Sequence, residues 1–164
     1  MVGSSRLSDI GKMPAAYARS TEHGDVDAVR PTIAALKSRV DELRGRTNGP
    51  DWEEANIALQ QVMSDYAGKV RNEARLQQGL AHLRRLRQKA ETEMMAPNQH
   101  ELGRCLEVYN LFDVGELTFQ AALERKESRG LHNRPDYPFT NPLLNQAHVV
   151  RKEGDRPVNN WRSY

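Results

Sequence analysis

Little in this sequence serves covalent, metal or nucleotide chemistry. There is a single cysteine, Cys105, so no disulfide can close within the chain and a reducing compartment is permitted. No Cys-x-x-Cys pair and no His-Glu-x-x-His pattern occurs among its residues. The five histidines are His23, His82, His100, His132 and His148. His100 and Cys105 stand five apart, which sets them on different faces of a helix. A metal centre needs several ligands converging at fixed distances, so these read as surface histidines and a packed thiol. Glycine-rich phosphate loops of the Gly-x-Gly-x-x-Gly or Gly-x-x-x-x-Gly-Lys kind are missing as well, and with them any dinucleotide or P-loop fingerprint. Ser128 and His132 lie four apart beside Glu127. Gly130 is expected to end the helix between them, and no oxyanion-hole sequence accompanies them, which argues against a hydrolase triad.

Aromatics make up only 6% of the chain and hydrophobic residues 38%, against 28% charged. Much of the chain is therefore expected to be solvated surface or poorly ordered tail. No apolar run approaches the roughly 20 residues that span a bilayer, so no direct membrane span is expected. The first eighteen residues are short of apolar side chains and hold Asp9 and Lys12, which argues against a secretory signal. The 24 basic and 22 acidic residues leave a net charge of +2, too weak a bias to predict a nucleic-acid partner. Arg84, Arg85, Arg87 and Lys89 cluster on one stretch beside Glu91 and Glu93. No aromatic residue interleaves with them, as single-strand binding requires, so the cluster reads as a solvated helix face.

What the chain does have is helical periodicity. Ile33, Leu36, Val40 and Leu43 recur at three- and four-residue steps, predicting a helix over residues 32–44. Gly45, Asn48, Gly49 and Pro50 break it. Asp51 followed by Glu54 reads as a capping-box variant. A long second helix follows over 52–95, with Leu59, Val62, Met63 and Tyr66 on one face and a bend expected at Gly68 to Asn72. A third is predicted over 101–128, with apolar residues on most sides, which should be covered on most sides; Gly130 is its expected left-handed cap. Beyond it, Pro135, Pro138, Pro142 and Pro157 forbid a long helix. A short strand at His148–Arg151 and a turn at Gly154-Asp155 are expected in the tail. The fold class is all-α: a three-helix, spectrin-repeat-like antiparallel bundle with an irregular C-terminal tail.

The densest polar stretch follows the most apolar helix. It runs Arg125-Lys126-Glu127-Ser128-Arg129-Gly130-Leu131-His132, then Arg134 and Asp136-Tyr137-Pro138. A charged helix end fixed to a core element suits docking, because charge pairs set orientation and register. This stretch resembles the R-x-E-S-R-G-x-H-x-R-x-D-Y-P signature of the C-terminal domain in succinate dehydrogenase, fumarate reductase, L-aspartate oxidase and related FAD enzymes. A second stretch is similar to the same family's helix pair: Leu59-Gln60-Gln61-Val62-Met63, Ala67-Gly68-Lys69-Val70-Arg71-Asn72-Glu73, then Leu76 and Gly79-Leu80. Asn110 fits too, and Gly11-Lys12 through Tyr17-Ala18 is similar to the last helix of the preceding FAD domain.

The resemblance implies a division into residues 1–30 as an N-terminal extension, 31–138 as the helical bundle and 139–164 as an extended tail. It implies FAD in a partner domain and none in this chain. The implied partners are the FAD-binding domain or subunit of the same enzyme, and an iron–sulfur subunit. The implied location is cytoplasmic, peripheral to the membrane through partner subunits. The family's dinucleotide fold, capping domain and dicarboxylate-binding residues have no counterpart here, so no catalytic residue is carried over. What carries over is a docking segment: Arg125, Glu127, Ser128, Arg129, Gly130, His132, Arg134, Asp136 and Tyr137. Some of these are also expected to bond within the loop, Glu127 pairing with Arg129 or Arg134. The rival expectation is a free-standing helical interaction module that binds partner helices and has no flavin partner.

Overall fold

The computed structural model describes residues 17, 19–20, 26–153 and 156–163. Of the sequence-based expectations, the match over Gly11–Ala18 (apart from Tyr17), His23 and the Gly154-Asp155 turn lie outside them. The described residues form four helices, α1 (Val26–Gly45), α2 (Trp52–Ala67), α3 (Glu73–Glu93) and α4 (Gln99–Glu124). A 3-10 turn (Pro142–Leu144) and two strands, β1 (Ala147–Glu153) and β2 (Arg156–Arg162), follow. Residues up to Arg39 and residues from Val40 onward form two units. In the first, Val29, Ile33 and Leu36 of α1 are exposed. In the second, Leu43 is buried in the core.

The mostly helical architecture is the one the periodicity predicts, but the helices among the described residues number four, not three. The stretch 52–95 is two helices because residues 68–72 carry a stop and a start. Gly68 leaves α2 in extended conformation, and Asn72 caps α3, its side chain accepting from Arg75 N–H at 2.9 Å. The same device opens α2 at Asp51 and α4 at Asn98, whose side chains accept from Glu54 and Glu101 N–H. Each such cap is worth about 1 kcal/mol. At its N-terminal end α1 starts earlier than expected and runs through Pro31, a residue that removes one backbone donor.

Helices α2, α3 and α4 pack against one another pairwise. Leu59, Leu76, Leu83, Val108, Phe112 and Phe119 form the centre of that core. Gly79 sets the closest approach: a Cβ there would lie 2.4 Å from Tyr66 Cβ and 2.6 Å from a Phe119 ring carbon. Cys105 is buried and its thiol reaches Met95 O at 3.4 Å. Burial, aided by Glu101, pushes its pKa up to about 11, so it is an inert core residue. The α3–α4 seam is closed outside by ion pairs from the basic cluster. Arg84 bonds Glu116 at 2.7 Å, and Arg87 bonds Asp113 at 2.6 Å and Glu91 at 3.0 Å.

The tail is more regular than expected. β1 and β2 pair antiparallel, with His148 opposite Trp161 and Val150 opposite Asn159, and both strands touch α4. Among the described residues, no helix is long and apolar enough to cross a membrane.

Candidate docking site

Helix α4 ends at Glu124, four residues before the predicted end. The reason is Glu127. Its side chain is 0% exposed, and a buried carboxylate must be paired and hydrogen-bonded. The chain leaves the helix to supply those partners. Arg129 bonds it in a fork, Nε to Oε1 at 2.9 Å and Nη2 to Oε2 at 3.1 Å. Arg125 Nη1 donates to Oε1 and Asn141 N–H to Oε2. Burial alone would raise the pKa of Glu127; the bonds from Arg129, Asn141 and Arg125 outweigh it and hold the group below the usual carboxylate range. The expected pairing with Arg129 is present, and Arg125 is its second cation. Arg125 also donates to Leu144 O and Gln146 O and lies 4.7 Å over the Trp161 ring. One guanidinium thus joins the helix end, the 3-10 turn and the β-pair.

Arg134 is the second anchor, also 0% exposed. It grips Asp136 through Nε and Nη2, at 2.9 and 2.7 Å, and sends Nη1 to Ala122 O at 2.7 Å. Its plane lies 4.9 Å from the Tyr137 ring. Asp136 in turn accepts from the N–H of Glu73 at 2.9 Å. A carboxylate at the first residue of α3 is also favoured by the helix dipole. The Arg134 fork, followed by that N–H, lowers Asp136 to a pKa of about 2. Tyr137 closes the ring by reaching Glu73 Oε2 at 3.3 Å.

Ser128 and His132 complete the brace, and they do not face each other as a catalytic pair. Ser128 Oγ accepts from Arg134 N–H at 2.9 Å and lies near Arg134 O and Tyr137 O as donor. His132 Nε2 lies 2.9 Å from Arg125 O, which can only accept, so this nitrogen carries the proton. Nδ1 then accepts from Arg71 Nη1 at 3.2 Å. Burial lowers the pKa of His132, and neighbouring Arg71, Arg134 and Arg125 lower it further. Gly130 adopts φ +57°. It does so in the tight turn between Arg129 and His132, which exchange both backbone bonds, and not as a helix cap. At that turn's tip Leu131 is 85% exposed.

Of the other described histidines, His82 stacks on Tyr66, His148 packs on Trp161 and His100 is exposed. Among the described residues no group of His, Cys, Asp and Glu is arranged to hold a metal. Arg71 is the member of the site that sequence reasoning missed as a contact. It caps α2 through Ala67 O and Gly68 O while holding His132. Its place within the Gly68–Glu73 match was the available signal.

The family described as fumarate reductase flavoprotein C-terminal matches residues 56–161, more than half of the chain. The chain belongs to that family. The chain is 37% identical over 103 residues to the L-aspartate oxidase of Yersinia pestis, covering 54% of this chain and 19% of that protein. It is 29% identical over 153 residues to the succinate dehydrogenase flavoprotein subunit of Coxiella burnetii, covering 76% and 26%. In fold it is similar to E. coli quinol fumarate reductase, with a TM-score of 0.74, 18% identity and coverage of 93% of this chain and 28% of that one. The chain therefore spans about a fifth to a quarter of the curated relatives it matches.

Proposed function

We propose that this chain is the C-terminal helical domain, or a separated subunit, of an FAD-dependent oxidoreductase of the fumarate reductase and succinate dehydrogenase type. It docks on the flavin-bearing part and is not catalytic by itself. The observation that carries this is the family match running through the whole brace from Arg71 to Tyr137. Within 31–138 the bundle is the docking domain. Residues 1–30 are an extension related to the last helix of the flavin domain, and 139–164 are its tail. In the docking segment Glu127, Ser128, Arg134 and Asp136 hold the shape. Arg129, Gly130, His132 and Tyr137, with Arg125 behind them, present it to the flavin-bearing part. Arginine suits such a contact because its planar fork bonds carboxylates and carbonyls in fixed geometry.

FAD belongs to the partner in this reading. Dinucleotide phosphates sit on a glycine-rich turn between a strand and a helix N-terminus. Here, among the described residues, the strands β1 and β2 follow the helices and pair only with each other. Hydride chemistry is the cofactor's, and no residue of this chain is assigned a step in it. An iron–sulfur subunit is a second proposed neighbour, through which the assembly sits at a membrane. Titrating the pure 164-residue chain with FAD, followed by flavin fluorescence, tests the division of labour. No saturation is expected at micromolar FAD; saturable binding there would place a cofactor site in this chain.

A further inference from the structure

The most apolar helix of the bundle is left open on one side. Leu106, Leu111, Val114 and Leu117 of α4 are all exposed, Val114 by 58%. Helical spacing of 3.6 residues puts them, with Gly103 and Asn110, on one face opposite the buried Cys105, Val108, Phe112 and Phe119. A contiguous apolar face of this kind marks a contact surface. Asn110 lies at its middle, and its side chain has no hydrogen bond among the described residues. A single amide within an apolar seam fixes register, because only one placement gives it a partner.

We infer that this face of α4, and not the charged segment alone, is what the flavin-bearing part covers. The inference rests on the flavoprotein reading above and names the surface that reading requires. Two observations select this occupant. First, the relatives carry about three quarters of their length beyond what this chain matches, and the matched family is their C-terminal portion, so a large folded body precedes the bundle in them. Second, the two acids on this side of α4, Glu107 and Asp113, are each ion-paired to an arginine, Arg104 at 2.8 Å and Arg87 at 2.6 Å, so the face offers no excess charge of either sign to draw a lipid surface. The occupant is thus an apolar protein surface with a polar group for Asn110.

The test uses thiol labelling. Cys105 is buried and its thiol pKa is raised, so Val114→Cys supplies the one reactive thiol among the described residues. The full chain carrying Val114→Cys is compared with the same chain joined in place of the matching C-terminal region of the Yersinia pestis L-aspartate oxidase. The covalent link holds the two bodies at high effective concentration. In the FAD-loaded chimera, labelling is expected to slow by roughly tenfold or more, as for a site removed from solvent by docking. Equal rates with FAD retained overturn the surface and leave the flavoprotein reading standing. A chimera that emerges from gel filtration without FAD overturns that reading and the inference with it. A free chain that is dimeric, with its thiol already protected, assigns the face to a second copy and also overturns it.

Discussion

The Arg134 side chain, with no exposed surface, donates through Nη1 to the carbonyl oxygen of Ala122 at 2.7 Å. The bond reaches back twelve residues into the last turns of α4, where carbonyls have no intrahelical donor or are about to lose one. It turns a charged loop into the C-terminal brace of the core helix. Arg134→Met should therefore destabilise the isolated chain by about 3–5 kcal/mol, the usual cost of breaking a buried ion pair from one side. Urea unfolding followed by helix content measures it. A loss below about 1 kcal/mol would show that the brace is ornamental to the fold.

Arg129→Ala separates bracing from docking. Its guanidinium supplies two of the bonds to buried Glu127, while Arg125 and Asn141 N–H remain. The predicted loss in the isolated chain is about 1–3 kcal/mol, that of a weakened charge-assisted network. An ordinary surface arginine would lose less than about 0.5 kcal/mol. The same denaturation series distinguishes the two.

These residues also mark how much could be read from the sequence. The motif marks the segment that braces the end of α4, and the helical class follows from periodicity alone. The direction in which the charges point does not: nothing in Arg-x-Glu-Ser-Arg-Gly tells that Glu127 and Arg134 are fully enclosed while Leu131 stands exposed at the tip. Burial depends on partners far away in sequence, such as Asn141, Ala122 and Glu73. The split at residues 68–72 was legible as a bend only, because Gly68 and Asn72 act together with a backbone bond from Arg71 to Asn133. The uncovered side of α4 differs from expectation for the same reason: its apolar residues predict burial, yet Leu106, Leu111, Val114 and Leu117 are exposed among the described residues.

Stability should fall on acidification in two steps. His132 has its pKa lowered from 6.5 in the folded chain, so below about 6.5 the unfolded chain binds the proton first and stability drops as pH falls. His148 is lowered too, mainly by burial, and adds to the same step. Asp136, lowered from 3.8 to about 2, contributes stability that is complete above 3.8 and is lost as pH falls through about 2. Melting curves at about pH 7.5 and about pH 5.5 check the first step. His132→Gln should shrink the difference between them to the part His148 supplies; an unchanged difference would show that His132 does not contribute to this step.

Two glycines should respond oppositely to alanine. Gly79→Ala forces a methyl into Tyr66 and Phe119 at 2.4 to 2.7 Å and should cost about 1–3 kcal/mol or more through overpacking. Gly103 lies in a helix with nothing within 4 Å of an added Cβ. Gly103→Ala should stabilise the isolated chain by about 0.5–1 kcal/mol by restricting the unfolded chain and raising helix propensity. Thermal melting of both variants beside the parent decides it.

On the proposed function, this helical domain works attached to a flavin-bearing partner. Purification of the tagged chain from its native source, with the eluate read at flavin absorbance and by intact mass, decides whether it does. A flavin spectrum and a large second polypeptide, or a flavin-bearing body on the same chain, are expected in about equimolar amount. A chain recovered in folded form, without flavin and with only helical partners or none, would contradict it and establish the free-standing interaction module instead.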